Sequence, residues 1–360
     1  MSTPELDGEK LALTMQAVSG TVQQGLHCAL SFVGDQLGLY RALRDAGPST
    51  SVGLAQATGL DERWVREWLY QQACTGQLDY REEGDAFSIS PEAAAVLVDE
   101  DHPSYLAGMF QTVVALYGAV DSLPESFRSG IGRSYEAQGD ACACGVHRMS
   151  QQFQRHQLVE NLLPKLDGVL AKLENGVRVA DVGCGTATST VAMARAFPKS
   201  EFIGYDSSRS AIRHATAAVQ EAGVGNVRIV DPTHEPLPED GSLGLITTFD
   251  VIHDSTHPVE LIAAIRRSLP ADGTWLCADV KGKPTFAENL NENPIAPLAY
   301  AFSVMVCMSA ALSLPGGAGL GTLGFHEQKA REMTGAGGFS RFRQIDYEGD
   351  IFNAYYEIRP

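Results

Sequence analysis

Apolar positions recur at helical spacing through the first 75 residues and then give way to short alternating runs. Residues 8–46 read as helix, stopped by Gly47-Pro48 and the polar Ser49, Thr50 and Ser51. Residues 51–58 form a short amphipathic helix, and Gly59-Leu60-Asp61 is a turn ending in an N-cap. Residues 62–75 form a second helix, whose Trp64, Val65, Trp68 and Leu69 fall at helical spacing and read as packing residues. Gly76 ends it. Two short strands, 77–80 and 87–90, then flank the charged tip Arg81-Glu82-Glu83-Gly84-Asp85. Helix, turn, helix and hairpin together describe a winged helix.

A helical region over 91–173 leads into a different pattern. Candidate strands at 177–182, 201–205, 227–230, 243–249 and 274–280 alternate with helical stretches such as 191–197, 211–222 and 258–269. Late strands at 342–347 and 353–358 complete the set. This alternation predicts an α/β fold with a Rossmann-like, doubly wound, mostly parallel sheet of seven strands, preceded by a mainly helical winged-helix domain. The expected organisation is a winged-helix and dimerisation domain over 1–145, a helical linker over 146–175 and a sheet domain over 176–360, with a lid insertion around 284–325.

The 360 residues suit two domains, and a formal charge of −17 with 44% hydrophobic residues describes a folded acidic chain. Six Lys and Arg stand against fifteen Asp and Glu in residues 1–100, so the acidity is densest on the winged helix. A DNA-reading helix needs a basic footprint to neutralise phosphates, which argues against a nucleic-acid partner. Seven cysteines without a repeating framework fit a reducing compartment, and Glu5, Asp7 and Glu9 stand where a leader would be basic, so the expected location is cytoplasmic. Residues 295–314 hold 20 uncharged positions, but Pro297, three serines and the lack of a basic flank favour a buried helix or pocket wall over a membrane span.

The run Val177-Arg178-Val179-Ala180-Asp181-Val182-Gly183-Cys184-Gly185-Thr186 is a buried strand that ends in an acid and a glycine pair and feeds a helix at Thr188. Glycines let a backbone turn sharply and approach a ligand, and the helix start offers free N–H groups. A nicotinamide fingerprint needs a third glycine where Thr188 stands, which disfavours NAD. Asp206, at the end of the second strand, is placed to accept hydrogen bonds from a ribose diol, or alternatively to cap the next helix.

Asp181-Val182-Gly183-Cys184-Gly185-Thr186, Asp206, Asp231-Pro232 after the third strand and Phe249-Asp250 after the fourth resemble class I S-adenosylmethionine-dependent methyltransferases over residues 176–360. The resemblance implies S-adenosylmethionine as cofactor and S-adenosylhomocysteine as product. It assigns Asp181, Gly183, Gly185 and Thr186 to the methionine end, Asp206 with Ser207 to the ribose, Asp231 with Pro232 to the adenine, and Phe249 and Asp250 to the cofactor site. The segments 34–40 and 62–69 are similar to an actinobacterial-type subgroup with a winged helix in front, often labelled regulators. Plant-type small-molecule O-methyltransferases share that layout, which implies a homodimer.

Those enzymes carry a catalytic His-Asp pair after the fourth strand, where this chain reads His253-Asp254. Methyl transfer needs alignment of the acceptor and removal of its proton, and an imidazole with an ordinary pKa near ~6.5 suits the latter. The plant enzymes follow the pair with an aromatic residue; here Ser255 follows. His253 therefore reads either as general base or as a residue that shapes the pocket. Asp254, Tyr300, Met305 and Met308 are candidate lining for a small-molecule methyl acceptor. The alternatives are an S-methyltransferase acting on a small thiol, which needs less help from a base, and a winged-helix regulator that senses the cofactor or a metabolite. His253 with His257, and Cys142-x-Cys144 with His147, lack the third or fourth ligand a metal needs, so no metal site is expected. Cys184 reads as a small loop residue.

Overall fold

Gly38 adopts φ 67°, a left-handed conformation that glycine takes without a side-chain clash, and it divides the first long helical stretch into α1 (Gly8–Gln36) and α2 (Leu39–Ala46). The computed structural model describes residues 6–348 and 350–360, so part of the leader reading falls outside the described residues. Two compact units divide the chain, Met1–Val114 with Cys144–Met149, and Ala115–Ala143 with Ser150–Pro360. This division differs from the boundaries at 145 and 175 read from the sequence. Amphipathic spacing announces a helix, but it carries no information about which core the helix joins.

In the first unit the Thr50 hydroxyl caps α3 (Ser51–Thr58) and the Asp61 carboxylate caps α4 (Glu62–Cys74). A hairpin of β1 (Asp79–Arg81) and β2 (Ala86–Ser88) follows, then α5 (Pro91–Leu97) and the start of α6 (Gly108–Tyr117). Leu39, Leu43, Leu54, Val65, Leu69 and Phe87 form the core. Trp68 joins them, and its indole N–H donates to the Leu30 carbonyl at 2.9 Å. Trp64, expected to pack, is 81% exposed: it lies one position from Val65 and is turned away from the buried stripe.

The second unit contains α7 (Leu123–Ser129), most of α8 (Asp140–His156), α9 (Val169–Asn175) and the sheet. Its strands are β3 (Arg178–Val182), β4 (Glu201–Tyr205), β5 (Val227–Val230), β6 (Leu245–Phe249), β7 (Thr274–Val280), β8 (Arg341–Ile345) and β9 (Asn353–Arg359), in the order β5-β4-β3-β6-β7-β9-β8. β5 to β7 run parallel through this order, while β9 lies antiparallel to both β7 and β8. α10 (Thr188–Ala196), α11 (Arg209–Ala222) and α12 (Pro258–Ser268) connect the parallel strands, as short apolar strands buried on both faces require. The order reverses between β3 and β6, and ligands of open α/β sheets bind outside the carboxyl ends of the strands at such a point.

The insertion after β7 consists of α13 (Phe286–Glu292), α14 (Ala296–Phe302), a π-helical turn Ser303–Cys307 and α15 (Met308–Ala311); α16 (Glu327–Ala336) then leads to β8. The uncharged stretch 295–314 is thus broken into short helical pieces. Among the described residues no helix is long and apolar enough to cross a membrane.

Candidate active site

β3 delivers the chain to a tight turn at the switch point. Gly183 has φ 72°, and a Cβ there would stand 2.4 Å from Val251, so the backbone passes where no side chain fits. The Gly183 and Cys184 N–H groups donate to the Tyr205 carbonyl at 2.8 and 3.0 Å, which pins the loop to the end of β4. Ala187, at φ 61°, starts α10. Cys184 is buried, and burial pushes its thiol well above the ordinary range, so it fills space. Thr186 shares a hydroxyl contact with Thr188 at 3.3 Å.

Asp181 sits one layer below the loop. Its carboxylate accepts from the hydroxyls of Ser189 and Thr190, both at 2.6 Å, and from Thr247 at 2.8 Å. The residue is 1% exposed, and its oxygens are engaged in holding β3, α10 and β6 together. The sequence assigns it to the methionine end of the cofactor; in the structure it also supports the glycine loop from beneath.

Asp206 ends β4 and binds the same loop from the other side. Its Oδ2 accepts from the Gly185 N–H at 2.9 Å and its Oδ1 from the Ser208 N–H at 2.8 Å, while burial pushes its pKa up. Ser207 is exposed beside it, and Ser208 rather than Asp206 caps α11. Asp231 accepts from the N–H and hydroxyl of Thr233 at 2.8 and 2.7 Å, which holds its carboxyl below the ordinary range. Pro232 and Phe249 are half-buried at the ends of β5 and β6.

The turn after β6 carries the densest chemistry. His253 is 2% exposed, and its Nδ1 lies 2.7 Å from Oδ1 of Asp279 on β7. A carboxylate can only accept, so Nδ1–H donates and Nε2 is the nitrogen available to a ligand. Burial pulls the imidazole pKa down, but the charge and hydrogen bond of Asp279 outweigh it, and contact with the Cys307 thiol adds to them, so the net shift is well above the ordinary value. Asp254, half-buried, is pushed up to about 7 by burial, against the opposing effect of His253. Asp250 is also pushed up to about 7, first by burial and then by Asp279. It has φ 57°, an uncommon conformation for a side-chain-bearing residue, and its Oδ2 accepts from the Asn353 amide at 2.9 Å.

Segment 131–143 of the same unit crosses this region. The Gly132 N–H donates to the Leu312 carbonyl at 3.0 Å and the Arg133 N–H to the Ser309 hydroxyl at 2.8 Å. At the α11 end the Ser208 hydroxyl donates to Glu136 at 2.6 Å, and Ser210 donates to Asp140. Tyr135, half-buried between these ties, lies within electrostatic reach of Asp206, Asp254, Cys142 and Cys307, and burial pushes its hydroxyl pKa up. Met305 packs in the same cluster as Tyr135, Cys142 and Cys307.

Sequence reasoning missed Asp279, Tyr135 and Glu136, each brought in by pairing or packing across long sequence separations. Tyr300, a candidate lining residue, is 38% exposed, and its ring lies 6.0 Å from that of the exposed Phe286. Met308 is half-buried at the start of α15. His253 and His257 share no helix face, since His253 lies in the turn and His257 is the residue before α12. Cys142 is buried and Cys144 exposed, two positions apart on one helix, so they face different ways. Among the described residues, the group with metal-compatible proximity is instead Asp250, His253 and Asp279, with one side-chain heteroatom of each within 4.8 Å of the others.

The chain matches a methyltransferase domain over residues 173–313 and an Rv2258c-like winged HTH domain over residues 26–99. It is similar to an uncharacterized methyltransferase of Bacillus subtilis (strain 168), YcgJ, at 32% identity over 103 residues, 28% of this chain and 40% of that protein. A mitomycin biosynthesis 6-O-methyltransferase of Streptomyces lavendulae is 27% identical over 201 residues, 54% of this chain and 57% of that protein. The match thus spans less than two thirds of the length of either relative. The structure of human N-acetylserotonin methyltransferase in complex with SAM is similar over 100% of this chain and 99% of that one, with a TM-score of 0.66 at 17% identity, a likeness of fold. The chain thus carries a methyltransferase domain with an Rv2258c-like winged HTH domain ahead of it.

Proposed function

We propose that this chain methylates a hydroxyl oxygen of a small molecule, with His253 as general base and Asp279 as the residue that positions it. The observation carrying this reading is the buried 2.7 Å His253–Asp279 hydrogen bond in the turn that follows β6. The strand ends also fit the cofactor. Gly183 leaves a cradle that a Cβ would fill, α10 begins directly after the loop, and Asp206 offers a carboxylate held by two backbone N–H groups. Gly183, Gly185 and Thr186 would hold the methionine end, Asp206 and Ser207 the ribose, and Asp231 and Pro232 the adenine; the bound sulfonium supplies the methyl group. Tyr135 adds a hydroxyl from segment 131–143, placed by Glu136 on Ser208.

Asp279 fixes the His253 ring and its tautomer, so that Nε2 is directed at the acceptor. The acceptor proton passes to Nε2, and the resulting imidazolium is paired with Asp279 in a buried setting where that charge is worth most. Met305 and Phe302 supply an apolar wall, and Asp254 a polar group beside the base. A neutral small molecule with an aromatic or alicyclic hydroxyl suits this lining.

We include a homodimer and a cytoplasmic location in the proposal. Leu11, Met15, Val18 and Val22 form an exposed apolar stripe along α1 at spacings suited to a second helix. A screen of phenols, hydroxy acids, amines and thiols with labelled S-adenosylmethionine tests the activity. Methyl transfer to hydroxyls that falls at least 100-fold in His253→Ala is expected; transfer to thiols that survives the substitution would replace oxygen with sulfur as acceptor.

A further inference from the structure

The His253–Asp279 pair leaves part of its own hydrogen bonding unfinished. Oδ1 of Asp279 accepts twice, from His253 and from the Val280 N–H at 2.9 Å, while its Oδ2 is buried without a partner. Oδ1 of Asp250 is in the same state: buried and without a partner, although its Oδ2 is held by Asn353. Asp279 is 0% exposed, so bulk solvent does not reach its orphan oxygen. One side-chain heteroatom from each of Asp250, His253 and Asp279 lies within 4.8 Å of the others, and a proton carried on Oδ1 of Asp250 would make it a donor and give Oδ2 of Asp279 the partner it lacks. The left-handed backbone at Asp250 and the Asn353 amide on its other oxygen keep that carboxyl turned inward.

We propose that Asp250 works as a neutral carboxylic acid whose proton is turned toward Oδ2 of Asp279, making it a positioning residue for the carboxylate that holds His253. The inference rests on His253 serving as base. The titratable groups facing Asp250 are Asp279 and Cys277 on β7, His253 and Asp254 on its own turn, Asp350 ahead of β9 and Tyr355 on β9. All but His253 are acidic, and burial acts with the Asp279 charge to favour the protonated form. The two carboxyls and the imidazole then carry one negative charge when His253 is neutral and none when it takes the acceptor proton. An ionised Asp250 would add a second negative charge beside the imidazole and make it hold its proton to higher pH.

The test compares Asp250→Asn and Asp250→Ala in the full chain. The asparagine amide reproduces the donor to Asp279 and accepts from Asn353, whereas alanine removes both. Infrared difference spectra between pH 5 and pH 9 should show a protonated-carboxyl band in the native protein that loses one component in Asp250→Asn; this readout needs no acceptor. With an acceptor, the acid limb of kcat/KM should stay in place in Asp250→Asn, because a neutral amide replaces a neutral acid beside His253; a downward move of about one pH unit or more would mean that Asp250 is ionised in the native protein and would overturn the proposal. Asp250→Ala should fall at least 10-fold below Asp250→Asn at equal pH. An unchanged band in Asp250→Asn, or indistinguishable behaviour of the two variants, overturns the proposal. So does a stoichiometric divalent metal in the purified native protein that Asp250→Asn abolishes, since the orphan oxygens would then be cation ligands. A band component lost in Asp250→Asn, in a protein that methylates none of the acceptors, upholds the shared proton and removes the methyl-transfer reading.

Discussion

Replacing Asp279 by asparagine removes one charge from the centre of the site while keeping the side-chain shape. The native pair is fully interior, with the His253 and Asp279 side chains 3% and 0% exposed, so solvent screens little of the lost attraction. Breaking a buried ion pair by neutralising one partner costs about 3–5 kcal/mol, which falls on the imidazolium form and corresponds to ~2–4 pKa units. Burial, which opposes the charged ring in the native protein, is then the dominant influence, and the imidazole should titrate below its ordinary range. The acid limb of kcat/KM should therefore move down by about two pH units, and the plateau rate should fall by ~100-fold or more because a less basic nitrogen removes the acceptor proton. Initial rates between pH 5.5 and 10 at saturating cofactor, with calorimetry confirming that cofactor binding survives, provide the measurement. An acid limb in its native place would refute the assignment of Asp279 as the source of the raised His253 pKa, and an undiminished plateau would refute the base.

Asp206→Ala removes the partner of two backbone N–H groups together with the proposed ribose acceptor. At about 1.5–3 kcal/mol per hydrogen bond to a charged group, cofactor affinity measured by calorimetry should fall at least ~100-fold. The three acidic-site groups also set a pH trend in stability. Asp250 and Asp254 titrate near 7 when folded and near ~3.9 when unfolded, so their ionisation destabilises the fold as pH rises through that interval; His253, raised above its unfolded value, contributes stability below ~6.5 that is lost as pH climbs through its folded pKa. All three act in the same direction, so Tm by calorimetry should be higher at pH 6 than at pH 8.5, and this difference should shrink in Asp250→Asn.

The sheet was legible in the sequence because each parallel strand is a short, largely apolar run bounded by turn residues, with few polar positions to blur it. The glycine loop was legible as a tight turn for a similar reason: its residues are consecutive, and Gly183 and Gly185 take positive φ that few other residue types adopt. Asp279 was not. It lies 26 residues beyond His253, and the two meet because β6 and β7 pair in a register that sets Phe249 beside Ala278. The three hydroxyl partners of Asp181 were not legible either, since they come from α10 and β6. The ties from Glu136 to Ser208 and from Asp140 to Ser210 likewise join segments that nothing in the local pattern connects.

The winged unit provides a further prediction, because its shape and its charge point to different partners. A winged helix that reads DNA neutralises phosphates with free basic side chains, and each contact shows as counterion release with a slope near ~0.9 in log–log salt dependence. On α4 the basic residues are already committed: Arg63 lies 2.5 Å from Glu67, and Arg66 donates through Nε at 2.9 Å to Oε1 of Glu62, the oxygen that also accepts from Ser51, and through Nη2 to Oε2. Glu62 is held below its ordinary pKa by these contacts, so the acid does not release its partner at neutral pH. A phosphate approaching α4 would have to displace carboxylates one helical turn away from each arginine, against the −9 charge of residues 1–100. Gel shifts with genomic fragments should therefore show no specific complex at physiological salt and at most weak binding below it. A tight complex whose affinity falls steeply with added salt would mean that these pairs open on DNA, and the winged unit would then have to be read as a regulator's.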